Sequence, residues 1–118
     1  MLPPANRLRK EKEIKRVLAG RIGYKGGMLV CKTALNGLNT ARFCFIVSKR
    51  ISNKAVIRNR LKRQMREIVR SILPDIAIGF DYVLIACPGL EKKDYNGLLL
   101  AVKKGLDGLV CAWGRGHK

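Results

Sequence analysis

Residues 55–70 read AVIRNRLKRQMREIVR. The stretch carries five arginines and one lysine against a single carboxylate, Glu67. An apolar residue still recurs at every third or fourth position, the spacing of one face of an α-helix. With Leu61 at the centre and steps of about 100 degrees per residue, Ile57, Leu61, Met65, Ile68 and Ile72 fall within about 40 degrees of it. Arg70 then lies opposite. Asn59, Lys62, Arg63 and Arg66 share that far side, and Arg58 and Arg60 sit on the flanks. Like charges three and four apart disfavour an isolated helix by about a few tenths of a kcal/mol per pair. Arg63–Glu67 and Glu67–Arg70 offset only part of this. The helix, running to Leu73, therefore depends on packing through its apolar stripe, and it leaves a cationic strip facing outward.

The flanking segments set the fold. Residues 41–48, ARFCFIVS, read as a strand that is apolar on both faces, the mark of a central strand. Residues 80–87, FDYVLIAC, read as a second buried strand, closed by Pro88-Gly89. A helix between two such strands predicts that they pair in parallel. Residues 27–35, GMLVCKTAL, read as a further strand, and NGLN at 36–39 is turn chemistry. Residues 7–19 read as a short basic helix that starts at Asn6 or Arg9. Ile14, Val17 and Leu18 form its apolar face, and Gly20 is its stop. Residues 94–113 predict a last helix with Leu98, Val102, Leu106, Leu109, Val110 and Trp113 on one face. Gly97, Gly105 and Gly108 weaken that helix by about 1 kcal/mol each relative to alanine. The predicted order is α-β-β-α-β-α. The fold class is α/β, a small sandwich of one sheet packed by helices, with residues 1–118 forming one RNA-binding domain.

Composition narrows the function. The 118 residues carry 25 Lys+Arg and 8 Asp+Glu, a net charge of +17, with 47% hydrophobic residues. The chain has the apolar content for a core, so compositional disorder is excluded. No apolar run approaches the ~20 residues of a membrane span. MLPPANRLRK at the start turns polar and basic at once, unlike a secretory signal, so a cytoplasmic protein is expected. Self-repulsion at +17 destabilises a compact chain, and a polyanionic partner compensates it. Residues 1–25 hold eight bases and two acids, residues 49–70 nine and one, and residues 71–118 six and five. The basic surface thus belongs to the first 70 residues, and the remainder reads as scaffold. Nucleic acid fits this clustering better than an anionic membrane or a heparin-like chain. A DNA-reading helix-turn-helix needs a partner helix one short turn away. Strands flank the basic helix here, so structured RNA is favoured over DNA.

Catalysis by the protein itself is disfavoured. Nucleases use histidine pairs or carboxylates that hold metal. His117 is the only histidine, and the eight acids are scattered. Cys31, Cys44, Cys87 and Cys111 form no CxxC pair, which argues against a structural zinc site and for buried reduced thiols. Cys31 and Cys44 are expected to face each other across a hairpin.

KAVIRNRLKRQMREIVR, preceded by VSKR, resembles the signature of the bacterial ribonuclease P protein component, an Arg-Asn-Arg motif on a basic helix. NRLRK with the following Ile14, Val17 and Leu18 is similar to the opening helix of that family. The resemblance implies a protein that joins a catalytic RNA to remove the 5′ leader of precursor tRNA. In such a complex the RNA supplies the active site and its Mg2+, and no cofactor is bound by a protein motif. It implies RNA contacts by Lys49, Arg50, Arg58, Asn59, Arg60, Lys62, Arg63, Arg66 and Arg70, with no catalytic or metal-ligating residue on the protein. Lys62 and Arg66 also border the leader cleft. The implied fold is the sandwich of the second domain of ribosomal protein S5, with a left-handed β-α-β crossover. That runs against the usual right-handed rule, and no residue here signals it. Family members often line the leader cleft with two aromatics on the first helix, where a stacked base is worth about 1–3 kcal/mol. Those positions fall on Ile14 and Leu18, which pack but do not stack, so Phe43, Phe45 or Tyr24 is the expected substitute. The alternative function is a ribosomal or other structural RNA-binding protein with no enzyme role.

Overall fold

A computed structural model describes residues 3–116 apart from Arg21 and Gly27, with side chains described as far as Leu109. The expectations for Val110, Cys111, Trp113 and His117 lie outside the described side chains. The chain runs α1 (Glu11–Ala19), β1 (Gly23–Gly26), β2 (Leu29–Leu35), β3 (Arg42–Ile46), α2 (Ala55–Ile72), β4 (Phe80–Ala86) and α3 (Tyr95–Gly116). Four strands form one mixed sheet in the order β1-β2-β4-β3.

The helix-between-strands expectation holds. β3 and β4 pair in parallel, with Arg42 beside Asp81 and Phe43 beside Tyr82. Three expectations are corrected. β1 is an additional strand, giving α-β-β-β-α-β-α. It folds back on β2 as the antiparallel hairpin, Tyr24 opposite Cys31. Its four residues include two glycines, too little apolar pattern to stand out. β4, not β3, is central. Its residues Asp81–Leu84 are all buried, and it pairs with β2 on one side and β3 on the other. The turn at 36–39 therefore crosses over β4 instead of joining a hairpin. Cys31 and Cys44 do not face each other, because β4 lies between their strands and their side chains join opposite faces of the sheet.

Alternation along the strands sorts two layers. Leu29, Cys31, Phe43, Phe45, Tyr82, Leu84 and Ala86 point to the face covered by α2 and α3. There they meet Leu61, Met65, Ile68 and Val69 of α2 and Leu98, Val102, Leu106 and Leu109 of α3, all buried. The amphipathic reading of α2 is thus realised. Gly105 and Gly108 of α3, read above as weaknesses, lie where the helix crosses the sheet. A Cβ at Gly105 would stand 2.5 Å from the Cys31 sulfur, and one at Gly108 would run into the Tyr24 ring. The helix loses propensity at these positions and gains a close approach to β1 and β2.

The other face carries Ala34, Cys44, Ile46, Val83 and Ile85, covered in part by Leu8, Ile14, Val17 and Leu18. α1 is only nine residues long and lies across β2 and β4, so it does not close the face over β3. Its C-terminus is held by Lys32 of β2, whose ammonium donates to the carbonyls of Leu18 (2.8 Å) and Gly20 (3.3 Å). A cation there also complements the helix dipole.

Candidate nucleic-acid interface

α2 positions the cationic strip. Its apolar stripe is fixed in the core, and Asn59, Arg60, Arg63 and Arg70 are left exposed. Among the described residues, none of Arg60, Lys62, Arg63, Arg66 and Arg70 forms an ion pair with a carboxylate. Arg58 differs. It is half-buried, and its Nη1 donates to the Ser52 carbonyl at 2.8 Å. The first arginine of the motif thus braces the loop before the helix. That loop is shaped by Ser48 and Ser52, whose hydroxyls accept from the backbone N–H of Arg50 (3.3 Å) and Lys54 (3.1 Å). Ile51 is buried and anchors the loop, while Lys49 and Arg50 stand exposed at its tip. Such serine turns order a loop without a regular ladder.

The strip continues into a groove on the incompletely covered face. Cys44 of β3 lies on its floor. Burial pushes the Cys44 thiol above its ordinary value, and the nearby charges of Lys62 and Arg66 act in the opposite direction. Of these two α2 residues, Arg66 lines the groove beside Cys44. Arg66 and Cys44 line a cavity of about 290 Å3 together with Arg7, Leu8, Arg9, Phe43 and Phe45. The segment before α1 is held there by the Leu8 N–H, which donates to the Phe43 carbonyl at 2.9 Å, so it runs along the free edge of β3. Ile14 and Leu18 are half-buried on the α1 side, packed with Cys44, Ile46, Val83 and Ile85.

The aromatics expected in the cleft, Phe43 and Phe45, do line this cavity, but without an open ring face. Phe43 and Phe45 are 2% and 9% exposed, and their rings belong to the opposite, closed layer. Phe43 stacks on Tyr82 with centroids 4.8 Å apart. A ring so enclosed has no free face for a base. Tyr24 sits on β1, at the far edge of the sheet from β3 and α2, against Gly108. Sequence reasoning also passes over Arg7 and Arg9 as groove residues. They belong to the basic N-terminal region, but only the pairing of Leu8 with β3 brings them beside Arg66.

A second charged cluster has no signal in the sequence. Asp81 is fully buried, and its carboxylate accepts from Arg42 Nε (2.7 Å) and Nη2 (2.7 Å), Arg16 Nη2 (2.9 Å) and Asn36 Nδ2 (3.0 Å). Arg42 also reaches Glu13 of α1 at 2.8 Å. Hydrogen bonding to Asp81 first, and to Glu13 second, holds the Arg42 guanidinium above its ordinary value. Asp81 and Arg42 are far apart in sequence, and only the parallel register of β3 and β4 makes them neighbours. Among the described residues no three His, Cys, Asp or Glu side chains stand close enough to hold a metal ion. No helix there is long and apolar enough to cross a membrane.

Known proteins resemble this chain in sequence and in fold. The family model described as Ribonuclease P matches residues 2–110. The chain belongs to the ribonuclease P protein family. It is 35% identical over 107 residues to the ribonuclease P protein component of Microcystis aeruginosa, covering 87% of this chain and 89% of the relative. The ribonuclease P protein component of Roseiflexus castenholzii is 43% identical over 101 residues, covering 85% and 82%. The structure of the RNase P protein from Thermotoga maritima superposes with a TM-score of 0.77 at 27% identity, over 85% of this chain and 94% of that one. That of Staphylococcus aureus gives 0.79 at 22% identity, over 86% and 93%, and shows the shared fold. The protein is thus a subunit of ribonuclease P, the endoribonuclease of tRNA 5′ maturation.

Proposed function

We propose that residues 1–118 act as one RNA-binding unit that joins the catalytic RNA of ribonuclease P through the α2 strip. The single-stranded 5′ leader of precursor tRNA is then received in the adjoining groove. Asn59, Arg60, Arg63 and Arg70, with Lys49 and Arg50 on the preceding loop, face the catalytic RNA. Arg58 contributes by holding that loop in place and with its remaining donors. Lys62 and Arg66 stand between the two surfaces and border the leader, with Ile14 and Leu18 opposite them as an apolar wall. The observation that carries this reading is that Arg66, on the α2 strip that pairs with no carboxylate, lines the groove whose floor is Cys44.

The chemistry follows from the residue types. Guanidinium groups match phosphate oxygens with two parallel donors and keep their charge at any working pH. Backbone contacts of this kind position an RNA without reading its sequence. Aliphatic groove walls exclude water from an unpaired base but give it no stacking partner, so leader binding rests more on phosphate than on base contacts. Mg2+ belongs to the catalytic RNA, which holds the reacting phosphodiester, and the protein contributes neither a nucleophile nor a general base. DNA is not a partner, and the complex works in the cytoplasm.

Reconstitution tests this directly. The protein is mixed with the catalytic RNA and a precursor tRNA at low magnesium, and release of the 5′ leader is followed. A marked acceleration that weakens steeply with added salt is expected, because several phosphates exchange counterions for arginine. A folded protein that leaves the rate of the RNA unchanged would refute the assignment.

A further inference from the structure

Two arginines of this very basic chain are withdrawn from the cationic surface. Arg42 and Arg16 converge on the Asp81 carboxylate, and Arg42 passes on to Glu13. The cluster joins three elements. Asp81 is on central β4, Arg42 is on β3, and Glu13 and Arg16 lie one turn apart on α1. Arg16 adds a bond from Nη1 to the Leu35 carbonyl at the end of β2, at 2.7 Å. Asn36 ties the following turn to the same carboxylate.

We propose that Glu13, Arg16, Arg42 and Asp81 are positioning residues that set the width of the groove by fixing α1 relative to β3. The proposal rests on the reading of the groove as the leader site. α1 packs over β2 and β4 through only Ile14, Val17 and Leu18. Its ties toward β3 are the backbone bond of Leu8 just before the helix and the Glu13–Arg42 pair within it. β3 in turn carries the groove floor at Cys44 and supports α2, whose Arg66 lines the opposite side. A rotation or slide of α1 would move Ile14 and Leu18 relative to that cation.

Stability alone does not account for the choice of residues. Apolar side chains of similar volume often replace a buried ion pair without loss, whereas a carboxylate–guanidinium fork is directional. Apolar packing through three side chains lets a small helix slide, and directional bonds from Arg42 to Glu13 at 2.8 Å and from Arg16 to Asp81 at 2.9 Å resist it. The cluster also turns Arg42 inward, with 16% of its side chain exposed, although it raises the net charge.

Glu13→Gln and Arg16→Met test the inference. Both sites are partly exposed, so the fold persists, and thermal melts confirm it. Arg42→Lys, which keeps the charge and loses the fork, is the third variant. Each is assembled with the catalytic RNA. Affinity is measured for a precursor tRNA with a leader long enough to cross the groove and for one with a single-nucleotide leader. Affinity for the catalytic RNA alone is followed against salt. The preference for the long leader is expected to fall several-fold, with the catalytic-RNA affinity and its salt slope unchanged. Variants that keep the wild-type leader preference overturn the positioning role. So does an equal loss toward both RNAs, or a shallower salt slope, which would make these arginines RNA contacts. A wild-type protein that shows no leader preference overturns the leader reading along with it.

Discussion

Arg42 and Phe43 are consecutive in β3, and Asp81 and Tyr82 face them from β4, yet the two pairs occupy different environments. Phe43 and Tyr82 turn to the face closed by two helices, where aromatic rings stack and the neighbours are aliphatic. Arg42 and Asp81 turn to the face covered only by α1, where four donors saturate one carboxylate. The sheet is thus held by apolar burial on one side and by directional bonds on the other. The open face gives up part of its cover to leave a groove, and its short helix is fixed by charge where area is lacking. Arginine itself is divided in the same way. On β3 it is bound to acid and nearly buried, and on α2 it stands without a carboxylate partner.

The largest effect should come from the middle of the charged face. Asp81→Ala leaves Arg42 and Arg16 without their shared acceptor, and breaking a buried pair in this way costs about 3–5 kcal/mol. Urea melts should show it as a large fall in the midpoint. A change below about 1 kcal/mol would mean that Glu13 and water take over, and the contrast between the faces would lapse.

The second test concerns the other arginine population. Replacing Arg60, Arg63 and Arg70 together with alanine should leave stability within about 0.5 kcal/mol, since all three are exposed and unpaired. Binding to the catalytic RNA should weaken by one to two orders of magnitude. The slope of log affinity against log salt should become shallower by about one for each phosphate that the variant no longer neutralises. The same measurements on Arg42→Met should give the reverse pattern, reduced stability with an unchanged slope. If the two variants behave alike, the division of the arginines is wrong.

These contrasts mark where sequence reasoning reaches and where it stops. The α2 stripe is legible because helical periodicity is local, and all of Leu61, Met65 and Ile68 are buried as the spacing requires. The parallel pairing of β3 and β4 follows from the intervening helix. β1 is not legible, because GYKG has too few apolar residues to alternate. The strand order is misjudged because ARFCFIVS is as apolar as FDYVLIAC, and composition does not say which of two such strands takes partners on both edges. Asp81 reads as one of eight scattered acids, since its partners lie 39 and 65 positions away and meet it only through the register. Phe43 and Phe45 do line the groove, but strand parity sends their rings into the closed layer. The parity of Arg42 and Cys44, which alternate with them, already assigns the rings to the opposite face.

Arg58 provides a smaller test, placed between the two populations. It belongs to the Arg-Asn-Arg motif but spends one donor on the Ser52 carbonyl. Arg58→Ala should cost about 1 kcal/mol of stability, the worth of one hydrogen bond from a charged donor at a partly exposed site. Asn59→Ala and Arg60→Ala should cost almost none. In RNA binding the order should change, with Arg60→Ala reducing the salt slope more than Arg58→Ala. Equal stability for the Arg58 and Arg60 variants would show that the bond to the loop contributes nothing, and that the motif acts as three equivalent contacts.

The closed face has a test of its own, with a sign that depends on pH. Burial pushes the Tyr82 hydroxyl up to about 12, and its Oη donates to the Ala77 carbonyl at 2.9 Å. The fold therefore favours the protonated phenol. Its contribution is complete below the unfolded value near 10 and is lost as pH rises from there toward 12. Tyr82→Phe should cost about 1 kcal/mol or less at neutral pH, the net worth of one hydrogen bond. Above about pH 10 the unfolded wild-type chain carries a phenolate that folding must protonate or desolvate and that the variant lacks, so its advantage should shrink and then reverse. Cys31, also pushed up to about 12 by burial, stays in both proteins and adds the same alkaline loss to each. The difference between their melts from about pH 7 to 11 thus isolates Tyr82. A constant offset across that range would mean that water already reaches the hydroxyl, and that the face beneath α2 and α3 is less dry than its packing requires.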